Sequence, residues 1–297
     1  MYTLSPLAQQ YKNFFMNFQA GGNLKHMERI REMLIKKEIS FYIDFDDLLN
    51  YDRKLAQSLL EKPDKHLEAA NDALKSIIEV HFGSPIFGNI IDVRIGSPFS
   101  GYLKSIRDFR IRFRGFPKET RVDIYNIRAR HINKPITVEG IVMKSIVKYE
   151  ILEIIYYCEK CDKEFRDQPD KDGRWFESVT CPYCMKRRYY NNIAEMVDVI
   201  FSDVLHVFIE PENLSEGSRS LEVLIKDNLV DIAKDIIQLN NKIIVSGILR
   251  PKGEGRKDYA MLEKVKVEDG TITRFFKSYD VYIEAHDIEL KEKAANF

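Results

Sequence analysis

The four cysteines of this chain fall as two C-x2-C pairs, Cys158-Glu-Lys-Cys161 and Cys181-Pro-Tyr-Cys184, with 19 residues between them. Each pair makes a tight turn that aims two sulfurs at one point, and two such turns complete a tetrahedron of thiolates around a metal ion. Any fold for this chain must therefore gather residues 158–184 round one centre. Zinc is the expected ion, one per chain. With thiolate in all four positions no coordination site is left for water, so Cys158, Cys161, Cys181 and Cys184 are expected to hold a structural metal. Cys-Pro-Tyr-Cys taken alone also reads as a thiol–disulfide exchange pair. That motif belongs between a strand and a long helix, whereas Met185-Lys-Arg-Arg-Tyr-Tyr190 follows here.

On either side of this element the hydrophobic period differs. Over the first hundred residues it is helical: Leu7, Tyr11, Phe14, Phe15 and Phe18 share one helix face, and Gly21-Gly22 stops that helix. Leu24, Met27, Ile30, Leu34 and Ile35 repeat the spacing, Ile39–Phe45 alternates as a strand does, and Pro63 opens a helix striped by Leu67, Ala70, Leu74, Ile77 and Ile78. Residues 82–100 carry three Gly and two Pro, which marks a domain boundary.

Beyond it the period becomes two. In Arg107–Arg114, Phe109, Ile111 and Phe113 share one face and Arg110, Arg112 and Arg114 the other, a pattern that fits either a nucleic-acid surface or a solvated face of ion-paired arginines. Ile136–Ile146 and Asn241–Leu249 read as strands, each broken by a glycine, and short curved strands of this kind suit a small barrel such as an OB-fold.

The 46 basic and 46 acidic side chains cancel, which excludes a uniformly basic nucleic-acid coat. The cancellation is segregated. Residues 101–150 carry 12 Lys/Arg against five Asp/Glu, and residues 151–240 carry 11 against 18. A second basic element follows Leu249: Arg250, Lys252, Arg256 and Lys257 flank Gly253 and Gly255, as in a projecting hairpin that tracks phosphates without reading bases. No phosphate-binding loop, metalloprotease helix or nucleophile elbow occurs, and the six histidines are scattered, so no catalytic apparatus is expected. No membrane segment or signal peptide is expected either, which makes an intracellular protein with reduced thiols the working picture.

The order of these parts resembles the N-terminal portion of the minichromosome maintenance (MCM) replicative DNA helicases, archaeal-like and without the ATPase domain. The likeness is carried by Ile43–Asp52, Leu55–Pro63, Arg128–Val142, the two C-x2-C pairs, Leu224–Asp231 and Ile244–Leu249. It implies an α+β multidomain chain with three parts. These are an N-terminal helical bundle over 1–100, an OB-fold β-barrel over 101–152 and 193–290 with its basic hairpin near 249–266, and a zinc-ribbon-like insertion over 153–192. Residues 291–297 would be a linker. It further implies non-specific binding of single- or double-stranded DNA, a homo-oligomeric and hexameric ring, and a chromosome-associated location. DNA contacts would fall on the hairpin residues, on Arg110, Arg112 and Arg114, and on Lys144, whose companion position is Val207 here. A loop that communicates with an ATPase domain would include Glu210, Glu212 and Arg219, shortened and without the proline the family places before its arginine. Two other readings remain open at this point: an MCM-like oligomerisation or regulatory protein that hydrolyses no ATP, and an RNA-binding OB plus zinc-ribbon protein.

Overall fold

A computed structural model describes residues 4–36, 38–82, 109–167, 178–185, 187–189, 196–212, 220–252, 261–267, 270–276 and 280–294. It divides into two compact units, Met1–Ser145 with Val207–Phe297, and Ile146–His206. The expected boundary over 82–100, Arg219, Arg256 and Lys257 lie outside the described residues, apart from Phe82 itself.

In the first unit, α1 (Pro6–Asn17) starts where Ser5 accepts from the Ala8 N–H and Pro6 sets the first turn. Its Ala8, Tyr11, Phe14 and Phe15 are buried. The helix ends at Asn17, before the glycines. Gly21 and Gly22, at φ 61° and 86°, instead turn a two-residue ribbon, β1 (Gln19–Ala20) against β2 (Asn23–Leu24). Next come α2 (Lys25–Lys36), β3 (Ser40–Asp44), α3 (Phe45–Tyr51), α4 (Arg53–Glu61) and α5 (Pro63–Ile77), which runs on into a π turn over Ile78–Phe82. Asp52 starts α4 by accepting from the Lys54 and Leu55 N–H groups.

The strand β4 (Arg110–Arg114) pairs parallel with β3, and its Phe109, Ile111 and Phe113 side enters the same apolar core as the helices. This corrects the expected boundary near residue 100. The arginine strand belongs with the helical part, because its apolar face completes that core.

The remaining strands build a large sheet: β5 (Pro135–Cys158), β6 (Lys163–Asp167), β9 (Met196–Glu210), β10 (Leu221–Lys226), β11 (Lys242–Pro251) and β14 (Val281–Glu292). Between them lie two short strands, β7 (Ser178–Thr180) and β8 (Arg187–Tyr189), and a turn of helix, α6 (Leu229–Ala233). The strand order runs β11-β14-β10-β9-β5, and β5 pairs back onto β11, so it closes on itself. Ile136, Val138, Val223, Ile243, Val245 and Ile283 are buried. The pairing of β11 with β14 shifts register between Ser246 and Gly247. A Cβ at Gly247 would overlap the Glu284 carbonyl oxygen, so only glycine lets the two strands approach there.

Of the expected basic hairpin near 249–266, residues 253–260 lie outside the described residues. Before them β11 pairs antiparallel with β14 and β5, and after them β12 (Met261–Val267) pairs antiparallel with β13 (Gly270–Phe276).

In the second unit, β6 pairs with the end of β5 (Ile154–Cys158), and β7 pairs with β8. Ile154, Tyr156, Phe165 and Val179 pack with Cys158 and Cys181 in its core.

Candidate metal centre and nucleic-acid interface

All four cysteine sulfurs lie within 4.8 Å of one another. Cys158 Sγ is 3.5 Å from Cys184 Sγ, and Cys161 Sγ is 3.6 Å from Cys181 Sγ. Sulfurs at about 2.3 Å from a tetrahedral zinc ion stand about 3.8 Å apart, so the cluster has the size such an ion requires. The turns are built alike. Met185 N–H donates to the Cys181 carbonyl at 2.9 Å and Asp162 N–H to the Cys158 carbonyl at 2.8 Å. The residue after each second cysteine, Asp162 at φ 56° and Met185 at φ 57°, adopts the left-handed conformation that closes the knuckle.

Burial opposes ionisation of Cys158 and Cys181. Hydrogen bonds outweigh it and hold both thiols low: from the Cys161 N–H and the Cys184 and Cys161 thiols at the first sulfur, and from the Cys184 and Tyr183 N–H groups with the Cys161 and Cys184 thiols at the second. Burial, with Cys158 beside it, pushes the Cys161 thiol up. A cation at the centre would reverse that penalty, since thiolate is the form it binds. These four residues can hold a metal ion.

The arginines expected to face DNA have other partners. Arg112 is buried: its Nε donates to Ser40 Oγ at 2.9 Å, Nη1 to the Ala285 carbonyl at 2.7 Å, and Nη2 to the Lys226 carbonyl at 2.8 Å. Nη2 also meets Asp227, a carboxylate whose side chain is 2% exposed. Arg110 pairs with the same carboxylate at 2.9 Å, and Arg114 with Asp44. Asp44 gathers Lys25 and Arg29 as well, which with Arg114 holds its carboxyl well below the usual range despite burial. A DNA-facing role is thus corrected for Arg112, whose three guanidinium nitrogens all donate inside the fold; Arg110 and Arg114 are half-exposed but paired.

Basic residues at the hairpin's expected start are also ion-paired. Arg250 bridges Asp64 of α5 and Glu284 of β14, and Lys252 bridges Glu222 of β10 at 2.9 Å. Lys144 is exposed on β5, while Val207 is buried. Glu210 ends β9; Glu212 and Glu139 both pair with Lys242, beside a cleft also lined by Arg121 and Tyr125.

Sequence reasoning missed the carboxylates that bind these cations. Asp227 sits at φ 60° in the turn after β10, and the Lys-Asp-Asn tripeptide there signals the turn but not the burial.

Comparison with known proteins follows the same division of the chain. Residues 8–115 match the MCM N-terminal domain and residues 123–252 match the MCM OB domain. The minichromosome maintenance protein MCM of Saccharolobus solfataricus is 25% identical over 289 residues, covering 94% of this chain and 37% of that protein. DNA replication licensing factor mcm3 of Schizosaccharomyces pombe is 28% identical over 220 residues, covering 70% of this chain and 23% of the relative. The chain thus spans between 23% and 37% of these relatives' length. In fold it resembles the crystal structure of the N-terminal domain of an archaeal MCM, with a TM-score of 0.65, 18% identity, and 96% of this chain and 98% of that one covered.

Proposed function

The chain belongs to the minichromosome maintenance family, whose N-terminal and OB domains it carries in order, and from that premise we propose that it is the DNA-binding, ring-forming N-terminal module of an MCM-type replicative helicase. The observation that supports this most is the pair of domain matches, which together run from residue 8 to 252. Chemistry would lie elsewhere, because no Walker A sequence occurs in these 297 residues. The closed strand order is an OB-type barrel in this reading, and residues 146–206 are its zinc-bearing insertion. Zinc, held by Cys158, Cys161, Cys181 and Cys184, fixes that insertion. Lys144 and the basic segment with Arg256 and Lys257 meet phosphates. Glu210, Glu212 and Arg219 belong to the loop that would communicate with an ATPase domain, and the chain acts at chromosomal DNA.

Native mass spectrometry with and without a single-stranded oligonucleotide, at two salt concentrations, tests the reading. Six copies on one strand, with one zinc per chain, are expected; a monomer that ignores DNA at low salt refutes it. Salt-sensitive oligomers indifferent to DNA would favour an assembly module instead. The segregation of basic residues 101–150 from acidic residues 151–240 gives that alternative its physical basis.

A further inference from the structure

With Arg110, Arg112 and Arg114 ion-paired within the fold, the positive charge that residues 101–150 can offer a ligand must be looked for among their other cations. Between β4 and β5 the chain makes three 3-10 turns, Lys118–Thr120, Ile124–Asn126 and Ala129–His131. Lys118, Arg121, Arg128 and Arg130 on this stretch are exposed. None of the four has a carboxylate partner among the described residues.

The third turn has a further property. Arg128 Nη1 donates to the carbonyls of Tyr125 at 2.6 Å and Ile127 at 2.8 Å, which anchors one edge of its guanidinium. Its remaining side-chain donors have no partner among the described residues. Next to it, the His131 ring faces two donors: the Arg128 N–H lies 3.0 Å from Nδ1, and Arg130 Nε lies 3.1 Å from Nε2. A neutral imidazole carries one N–H, so one of these contacts sets donor against donor. A protonated ring would make both unfavourable, and the two neighbouring arginines, after burial, already lower its affinity for a proton. Either way the turn holds more donors than acceptors, and an anion that accepts from Arg130 removes the conflict.

We propose that Arg128 and Arg130 form a phosphodiester-binding turn that contacts the backbone of single-stranded DNA. This rests on the DNA-binding reading and assigns it a surface of its own. Two guanidiniums, one anchored by main-chain carbonyls, suit the paired oxygens of a phosphate better than a flexible ammonium does. Exposed Ala129, the only apolar side chain between them, offers no anchor for a lipid or an apolar peptide. Contacts of this kind confer affinity and salt dependence without base preference.

The test is fluorescence anisotropy with a labelled single-stranded oligonucleotide across a salt series, on the full chain. Each lost phosphate contact on single strands shallows the log–log slope by about 0.7, so Arg128→Ala with Arg130→Ala should shallow it by about 1.4 and weaken binding about 25-fold at 0.1 M salt. Arg130→Ala alone leaves the carbonyl bonds of Arg128 intact and should give about half the change in slope. Replacing both arginines with Lys should keep the slope. Unchanged slope and affinity in both alanine variants, beside a wild type that binds, overturn this inference and leave the proposed function standing. A wild type that does not bind overturns both. Equal loss in the alanine and lysine variants at unchanged slope would make the turn a structural element, and also overturns the inference.

Discussion

Replacing His26 by leucine should stabilise the protein, and by more at pH 5 than at pH 7. His26 has no exposed surface, and Phe14, Phe15, Phe18 and Phe41 surround its ring at centroid distances of 4.4, 5.9, 5.3 and 6.1 Å. Neither ring nitrogen has a hydrogen-bond partner, and Asp47 Oδ2 is 3.7 Å away, beyond bonding reach. An unsatisfied buried polar group costs about 1–3 kcal/mol, so a leucine of similar volume should gain about 1–2 kcal/mol at pH 7. Burial, with Arg29 and Lys25 near, lowers the His26 pKa to about 3. The native ring therefore stays neutral while the unfolded chain, with a histidine pKa near 6.5, takes up a proton. Because the unfolded state binds more protons, stability falls as pH drops through 6.5 and goes on falling towards 3. Between pH 7 and 5 one such histidine removes about 2 kcal/mol. Carboxylates with lowered pKa, such as Asp44 and Glu139, lose their stabilising effect only at more acid pH. Loss of a bound metal in acid is common to both proteins and cancels in the difference. Urea unfolding followed by helical circular dichroism at pH 7, 6 and 5 measures the gap between His26→Leu and wild type. A gap that fails to widen by about 2 kcal/mol over that range would mean that the ring already finds a proton or a partner in the native core.

Two other substitutions probe the fold. Arg112→Met should cost about 3–5 kcal/mol, read as a lowered urea midpoint, because it strands the buried Asp227 with Arg110 alone; the salt slope of DNA binding should not move. Gly247→Ala should destabilise by about 1–3 kcal/mol or more in the same assay, since its Cβ would displace β14 at the Glu284 carbonyl.

Much of the fold was legible because it depends on local periodicity. The Tyr11, Phe14, Phe15 stripe and the proline at the start of α5 place their helices correctly. The glycine in Asn241–Leu249 marks a real register shift. The cysteine centre was legible for a stronger reason: ligand spacing is a covalent constraint, and the four sulfurs converge as it requires. Other features were hidden because pairing between distant segments decides them. Nothing near Met261 announces that it pairs with Phe276, or near Arg250 that its partners are Asp64 and Glu284. The helical spacing also passed over His26, which occupies a core position that apolar patterning assigns to no polar residue.

The arginines of β4 show why a charge count along a segment overstates the charge available to a ligand. Their strand must bury Phe109, Ile111 and Phe113 against the helices, and alternation then turns Arg110, Arg112 and Arg114 the other way. The middle of that face meets the sheet rather than water: Arg112 reaches the Ala285 carbonyl of β14, and the Phe113 N–H donates to His286 Nδ1 at 3.1 Å. Lys134 likewise donates to the Glu61 carbonyl at 2.6 Å, and Arg250 reaches back to Asp64. Among the described residues the buried helical core runs from residue 8 to 113 without a member from the large sheet, and these polar contacts join the two. An arginine can satisfy several acceptors at such a joint without an apolar partner. Arg112, the middle arginine of the strand that alternation marks as a DNA surface, is therefore consumed by holding the helices to the sheet, whereas the exposed arginines of the turns between β4 and β5 have no strand pairing to enforce their burial.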